Sequence, residues 1–284
     1  VNDSSVVVDA GVTIKQVVGE LNRVHRQLYV VPNYSYVSLG TTFFVPIHGS
    51  ASDVSTLGDT IERVLLYDPA TDRIVSISRG DPAFERLMYA PHTGILVLRL
   101  TLRIRSQLRY FKHTTELNSP TSAEIWRLFA EPSAANIELR KSRAAANSVQ
   151  VSEYFTMPIE NESPRDDHAL EIPRDSIGRI WDRLEENAIL SSLFHGFVRR
   201  FGFHVELFLD AEEFPIFWEA HAKLPLSKIQ LRFVRRDGLA NSPFGRRDCI
   251  SADLFMRRSK SPAFLRFMKE QLPHARFNPG KHSM

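Results

Sequence analysis

The residues with the most chemistry to offer lie in three short segments far apart in the chain. His48-Gly49-Ser50 closes the apolar loop Gly40-Thr41-Thr42-Phe43-Phe44-Val45-Pro46-Ile47. It sets an imidazole and a hydroxyl beside a glycine, whose missing Cβ lets backbone approach a ligand closely. Gln230 and Arg232 stand two apart in Ser227-Lys228-Ile229-Gln230-Leu231-Arg232-Phe233-Val234. On an extended strand that spacing puts both on one face, with Ile229, Leu231 and Phe233 on the other. Such a polar pair can line a pocket or face solvent. Arg276 and Lys281 occur in the tail Pro273-His274-Ala275-Arg276-Phe277-Asn278-Pro279-Gly280-Lys281, where cations meet either an anionic group or water.

Other chemistries lack their partners. The ten histidines are scattered, with no H-E-x-x-H and no paired His/Asp spacing, so no metal is expected. His204-Val205-Glu206 has the H-x-E of zinc deaminases without the P-C-x-x-C they need. There is no G-x-S-x-G elbow and no Walker loop. Cys249, the single cysteine, can form no intrachain disulfide and reads as a buried structural thiol. Arginine pairs at 199–200, 235–236, 246–247 and 257–258 raise an RNA- or polyanion-binding module as an alternative. Arg199-Arg200-Phe201-Gly202-Phe203 approaches an RNP1 core, but acidic residues balance the pairs and no second RNP strand follows, so no nucleic acid is expected.

The elements that must position these residues mix strands and helices throughout. The 284 residues are 43% hydrophobic and 24% charged with a net charge of +3, which excludes a disordered chain and leaves room for two domains. No apolar run approaches the roughly 20 residues of a membrane-spanning helix. Expected strands are Val6–Asp9, Leu28–Val31, a hairpin of Ile61–Tyr67 with Arg73–Ser78, Ile95–Ile104, His204–Leu209, Ile229–Val234 and Ile250–Phe255. A loop is expected from Tyr34 to Gly58. Thr13 caps a helix bearing Ile14, Val17, Val18, Leu21 and Val24, and Asp81-Pro82 opens a short one through Met88. Further helices are expected at 122–129, 173–187, 212–221 and 262–271, a charged loop at Glu160–Asp167, and a mixed, partly exposed stretch at Ala134–Asn147. The expected class is α+β, the second half carrying an antiparallel sheet with helices on one face.

Set in order, these segments resemble a known family. Val8-Asp9-Ala10-Gly11-Val12-Thr13 is similar to the "V-x-A-G-V-T" opening of the second FAD subdomain in the vanillyl-alcohol oxidase (PCMH-type FAD-binding) superfamily. His48-Gly49-Ser50 stands where those proteins carry "T-H-G-S" beside the flavin. The strand from Gly94 through Leu98 to Leu102 resembles their "G-x-x-G-V-V-T-E-V-T-L-R-V" segment, whose backbone meets the adenine side. Gln230 and Arg232 match the Glu and Arg of the "S-E-I-R" strand in the aldonolactone/alditol oxidase branch. Arg276, Gly280 and Lys281 match that branch's "R-x-H-W-G-K" ending, with Asn278 for the His and Pro279 for the Trp. Asn241-Ser242-Pro243-Phe244 suits its "L-S-P" loop. Departures are Gly40-Thr41 for a Gly-Gly pair, Val45-Pro46-Ile47 for a small "A-T-G", and Gln230 for Glu, which removes a charge and any base role.

The resemblance implies part of an FAD-binding PCMH-type domain at residues 1–106 and an α+β substrate (cap) domain at 107–284. It also implies that a first subdomain, with its "G-x-G-H-S" loop, belongs upstream of Val1, so no covalent flavin link is assigned. FAD would be held by Gly40, His48, Gly49, Ser50 and the Leu98 backbone. Lys281 and Arg232 would be fixed positive charges beside a developing alkoxide and reduced flavin, with Gln230 positioning a substrate hydroxyl. The implied reaction is hydride transfer from a CH–OH group of a sugar, alditol or aldonolactone-like substrate to flavin N5. Oxygen, a quinone or a cytochrome could accept the electrons, and cytoplasmic and membrane-peripheral locations both suit. A non-catalytic flavoprotein relative is a second alternative.

Overall fold

The computed structural model describes residues 3–51, 53–90, 93–142, 147–158 and 187–281. In chain order the first elements are β1 (Ser5–Asp9), α1 (Ile14–Arg23), β2 (Arg26–Gln27), α2 (Thr41–Phe44), β3 (Ile61–Asp68), β4 (Arg73–Ser78), α3 (Pro82–Leu87), β5 (Leu96–Arg103) and β6 (Arg105–Ser106). Then follow β7 (Leu108–Asn118), α4 (Ser122–Ala130), β8 (Asn136–Ser142), β9 (Ser148–Pro158), α5 (Ala188–Phe201), β10 (Gly202–Leu209), α6 (Glu213–Ala220), β11 (Leu226–Val234), β12 (Cys249–Arg257), α7 (Ser261–Gln271) and β13 (Arg276–Phe277). The chain is α+β, and its sheets are antiparallel.

Two cores organise these elements. The first sheet, ordered β1-β5-β3-β4, packs with α1 around Ile14, Val17, Leu21, Leu39, Phe43, Val64 and Leu100. Local chemistry starts α1 where the sequence puts it: Thr13 and Gln16 form a reciprocal capping box, and Ile14, Val17 and Leu21 bury one stripe. The second sheet runs β13-β10-β12-β11-β8-β9-β7. Ile137, Leu139, Val205, Leu207, Ile229, Leu231, Ala252 and Leu254 turn to one face of it and pack under Ile125, Phe129, Phe214, Phe217, Phe264 and Met268 from α4, α6 and α7. Side chains alternate along a strand, so the residues between them must occupy the opposite face.

That opposite face is joined to the first core. Ala51 bridges Asn136, and the Ile137 amide donates to the Ser50 carbonyl at 3.4 Å. Gln27 donates to the Tyr110 hydroxyl at 2.9 Å and accepts from the Leu108 amide at 3.0 Å. Ser55 donates to the Arg235 carbonyl at 2.7 Å. Asn241 donates to the Arg86 and Met88 carbonyls, while Leu239 sinks into the first core. Among the described residues no helix is long and apolar enough to cross a membrane.

Several expectations need correction. The strand placed at Leu28–Val31 is instead the two-residue β2 just before it, because only Arg105–Ser106 offers backbone to pair. Leu28 and Val30 are spent on the first core. The expected loop from Tyr34 to Gly58 contains α2 and the start of a 3-10 turn at Leu57–Thr60. The stretch 134–147, expected to be partly exposed, contains interior strand β8, with Ile137 and Leu139 buried. Strands β7 and β9 were not anticipated. On β7 only Tyr110 is buried, so no apolar alternation marks it. The loop at 160–167 and most of the helix at 173–187 lie outside the described residues.

Candidate functional site

The second sheet's free face carries polar residues in aligned rows. Glu206 of β10 stands opposite Asp253 of β12, which stands opposite Gln230 of β11, which stands opposite Arg140 of β8. The next row is Phe208, Ser251, Arg232 and Glu138. Antiparallel pairing thus brings seven chemistry-bearing residues from four strands to one patch, and His48-Gly49-Ser50 is laid over it.

Glu206 is the centre. Its Oε1 accepts from the Ser251 hydroxyl at 2.6 Å, His48 Nε2 at 2.8 Å and Arg232 at 2.9 Å. Its Oε2 accepts from Asn278 Nδ2 at 2.6 Å and lies 3.2 Å from the Lys281 ammonium. The Asn278 amide donates to the Glu206 carbonyl, so the tail is stitched to β10 by backbone as well. Asp253 accepts from Lys281 at 3.1 Å, lies 3.5 Å from Arg232, and pairs through its other oxygen with His204 Nε2. The His204 ring stacks on Phe255 at 4.1 Å between centroids. Beside this, Glu138 accepts from Arg140 at 2.9 Å and from Gln230 and Ser50 at 3.3 Å.

Burial decides the protonation states. Taken alone it would raise the Glu206 carboxyl, but the surrounding His48 N–H, Lys281 and Arg232 overcome it and hold the group well below the usual range. Asp253 is likewise opposed by burial and pulled down by Lys281 and His204. Burial pushes the His48 imidazole below its ordinary value, outweighing Glu206. With Glu206 ionised, His48 Nε2 is the donor in their hydrogen bond.

The expected site residues separate into two groups. His48, Arg232 and Lys281 meet on Glu206 and Asp253, and Ser50 and Gln230 meet on Glu138 in the adjacent network of the same sheet face. Gln230 and Arg232 are each 3% exposed, so their face is covered, not solvated. Gly40 and Leu98 are elsewhere. A Cβ on Gly40 would come within 2.8 Å of the Ala10 Cβ, so its small size serves packing. The Leu98 carbonyl accepts from the Ala10 amide. Gly49 backs onto Val30, and Gly280 onto Val45, whose Cγ1 would be 2.7 Å from an added Cβ.

Neither a protein-family model nor a curated protein matches the chain.

Two features of the cluster correct the sequence-based picture. Arg232 and Lys281 are not isolated positive charges; Glu206 and Asp253 match them two against two. Those carboxylates, with Ser251 and His204, were not anticipated as site residues. His204-Val205-Glu206 was weighed only as a metal motif, whereas its i, i+2 spacing already put both side chains on one face. Cys249 is buried and its thiol is pushed up to about 12 by burial, which makes it inert. Arg199 and Arg200 end α5 while Phe203 is buried on β10, so that segment presents no RNP-like aromatic platform.

A cleft runs beside Gly49, Ser50 and Ala51, walled by Val30, Glu138 and Arg232. It is shallow, with about 20 Å³ open to water. The donor chemistry fits an anionic or carbonyl-rich group lying along a surface, with the backbone and hydroxyl of 49–50 and the Arg232 guanidinium at the wall. An enclosed ring pocket of the common ~300–1,000 Å³ size is not what this cleft provides.

Proposed function

We propose that the chain belongs to an FAD-dependent oxidoreductase that oxidises a CH–OH group of a sugar, alditol or aldonolactone-like substrate, with a PCMH-type FAD-binding part and a cap domain. The observation that carries this reading is the meeting of His48 and Ser50 with Gln230, Arg232 and Lys281. The resemblance names those residues separately, and they meet on one sheet face, in two adjacent networks around Glu206 and Glu138, although at least 180 positions separate His48 and Ser50 from the other three. Asn278, in the place of the signature His, joins the same cluster.

Bound FAD would supply the hydride acceptor. The shallow surface formed by Gly49 and Ser50 would hold part of it, with Arg232 beside and His48 supporting the loop from beneath. The protein's own groups then divide the remaining work. Glu206 clamps Arg232 and Lys281 so that neither charge must reorient when an alkoxide develops. Lys281, whose side chain is 30% exposed, is the cation that can reach a substrate oxygen. Gln230 cannot act as base, but the His204–Asp253 pair can: Asp253 fixes Nε2 and orients the imidazole, leaving Nδ1 to take the hydroxyl proton.

The balanced charges also favour a second reading, a flavoprotein relative that binds without catalysis. Purifying the gene product as encoded in full, recording its visible spectrum and adding alditols and aldonolactones without oxygen decides among these. Flavin bands with substrate-dependent bleaching support the proposal. Lys281→Ala and His204→Asn should then keep the bands while bleaching slows by about 10²–10⁴-fold. Bands without bleaching mark the binding relative. A colourless protein that takes up no added FAD removes both readings.

A further inference from the structure

A second concavity of about 400 Å³ lies at the far end of β10; its charged lining includes Asp210 and Glu212, both paired with Arg247, and also Glu213, Arg246 and Arg276. It is separate from the cluster around Glu206. The Phe208 ring stands between them, edge-on to His48 at 5.5 Å on one side and to Phe244 at 5.1 Å on the other. Its volume falls in the range that small-molecule sites occupy, roughly 300–1,000 Å³.

Two unspent groups face this space. Glu213 is only 8% exposed, yet its Oε1 has no hydrogen-bond partner. Its neighbour Asp210 is satisfied: it accepts from the Glu212 and Glu213 amides and from Arg247 at 2.7 Å. Burial, with Asp210 nearby, pushes the Glu213 carboxyl up against the pull of His274 and its backbone N–H. A buried oxygen without a donor is destabilising, and a ligand donor to Oε1 can recover that cost. On the other wall, Arg246 forms no ion pair among the described residues, and Arg276 spends one nitrogen on the Ser242 carbonyl. Guanidinium groups pair best with carboxylates, and a charged donor pairs best with a carboxylate acceptor.

We propose that this cavity binds a small zwitterion of the amino-acid type, its ammonium on Glu213 and its carboxylate on the Arg246/Arg276 wall. A zwitterion meets both groups and leaves the cavity's charge unchanged. A simple acid would leave Glu213 uncompensated, and a simple amine would leave the arginines so. The site needs no flavin, so its fate is independent of the redox reading.

The test uses the whole chain and three probes: L-glutamine, N-acetyl-L-glutamine, which lacks the ammonium, and L-glutaminamide, which lacks the carboxylate. Calorimetric titration should show L-glutamine binding at least about tenfold more tightly than either analogue, a difference of roughly 1.4 kcal/mol. Glu213→Gln should keep or raise the melting temperature while abolishing the preference for the free ammonium. Arg246→Ala should abolish the preference for the free carboxylate. Absence of saturable binding overturns the proposal. So does equal binding of all three probes, or a Glu213→Gln protein that binds as the parent does.

Discussion

At the residue scale the cluster shows how one carboxylate organises its neighbours. Glu206 receives hydrogen bonds from Ser251, His48, Arg232 and Asn278, and Lys281 sits 3.2 Å away. Replacing it with alanine takes the nearer carboxylate from the buried Arg232 guanidinium, leaving Asp253 at 3.5 Å, a penalty of up to about 3–5 kcal/mol. Glu206→Ala should therefore lower the urea midpoint sharply; a midpoint close to the parent's would mean the clamp contributes nothing. Asp237 offers the opposite case. One of its oxygens is buried without a partner, and burial, helped by Asp59, lifts its carboxyl to about 6. A folded-state value above the unfolded one penalises the native state at high pH, and the penalty fades below about pH 4. Asp237→Asn should stabilise the protein by about 1–2 kcal/mol at pH 8, after discounting for solvent screening, and by nothing at pH 4. Denaturation curves at both pH values test this. The sequence revealed His48, Gln230, Arg232 and Lys281 because each sits in a recognisable local pattern. Glu206 and Asp253 have no local mark; strand register alone makes them neighbours.

At the element scale, stops and starts were the legible part. Thr121 caps α4 through a reciprocal bond with Glu124, as Pro120-Thr121-Ser122 suggested. Thr121→Ala should cost about 1 kcal/mol. The connection from β11 to β12 is pinned more tightly. A Cβ on Gly245 would lie 2.0 Å from the Leu239 carbonyl oxygen, and the Gly245 carbonyl accepts from the Gly238 amide. Backbone cannot yield as a side chain can, so Gly245→Ala should cost more than the Thr121 change and loosen Leu239 from the first core. Thermal melts of both variants rank the two costs, and the reverse order would show that the turn adapts. Strands β7 and β9 escaped notice for a physical reason. The edge strand β7, with one buried side chain, needs only its neighbour's hydrogen bonds, and polar residues form those as readily as apolar ones; interior β9 buries Val149, Val151 and Tyr154, but Ser152 and Thr156 break up its apolar pattern.

At the scale of the whole molecule, two apolar cores meet across a polar seam, and acid should act on the seam. The α+β class was readable because each core announces itself in local periodicity. The seam was not, since it joins His48 to a residue 158 positions away. Glu206 and Asp253 are held below their unfolded values near 4.3 and 3.9. Depressed carboxyls contribute stability that is complete above those values and is lost as pH falls towards the folded ones. His48, a base held below 6.5 by burial, adds a loss that begins as pH drops past its unfolded value. Asp237 works the other way between about pH 6 and 4, where its own penalty fades. These two effects oppose each other in that interval, so the decisive loss comes below about pH 4. Calorimetry at neutral pH should show one cooperative transition. Near pH 3 the seam should open first and the trace should split in two, with proteolysis then cutting between Arg103 and Leu108. Glu206→Gln should bring the same splitting to neutral pH. A single transition that merely shifts to lower temperature at pH 3 would show that the cores are coupled by apolar docking through Leu239, not by the charges around Glu206.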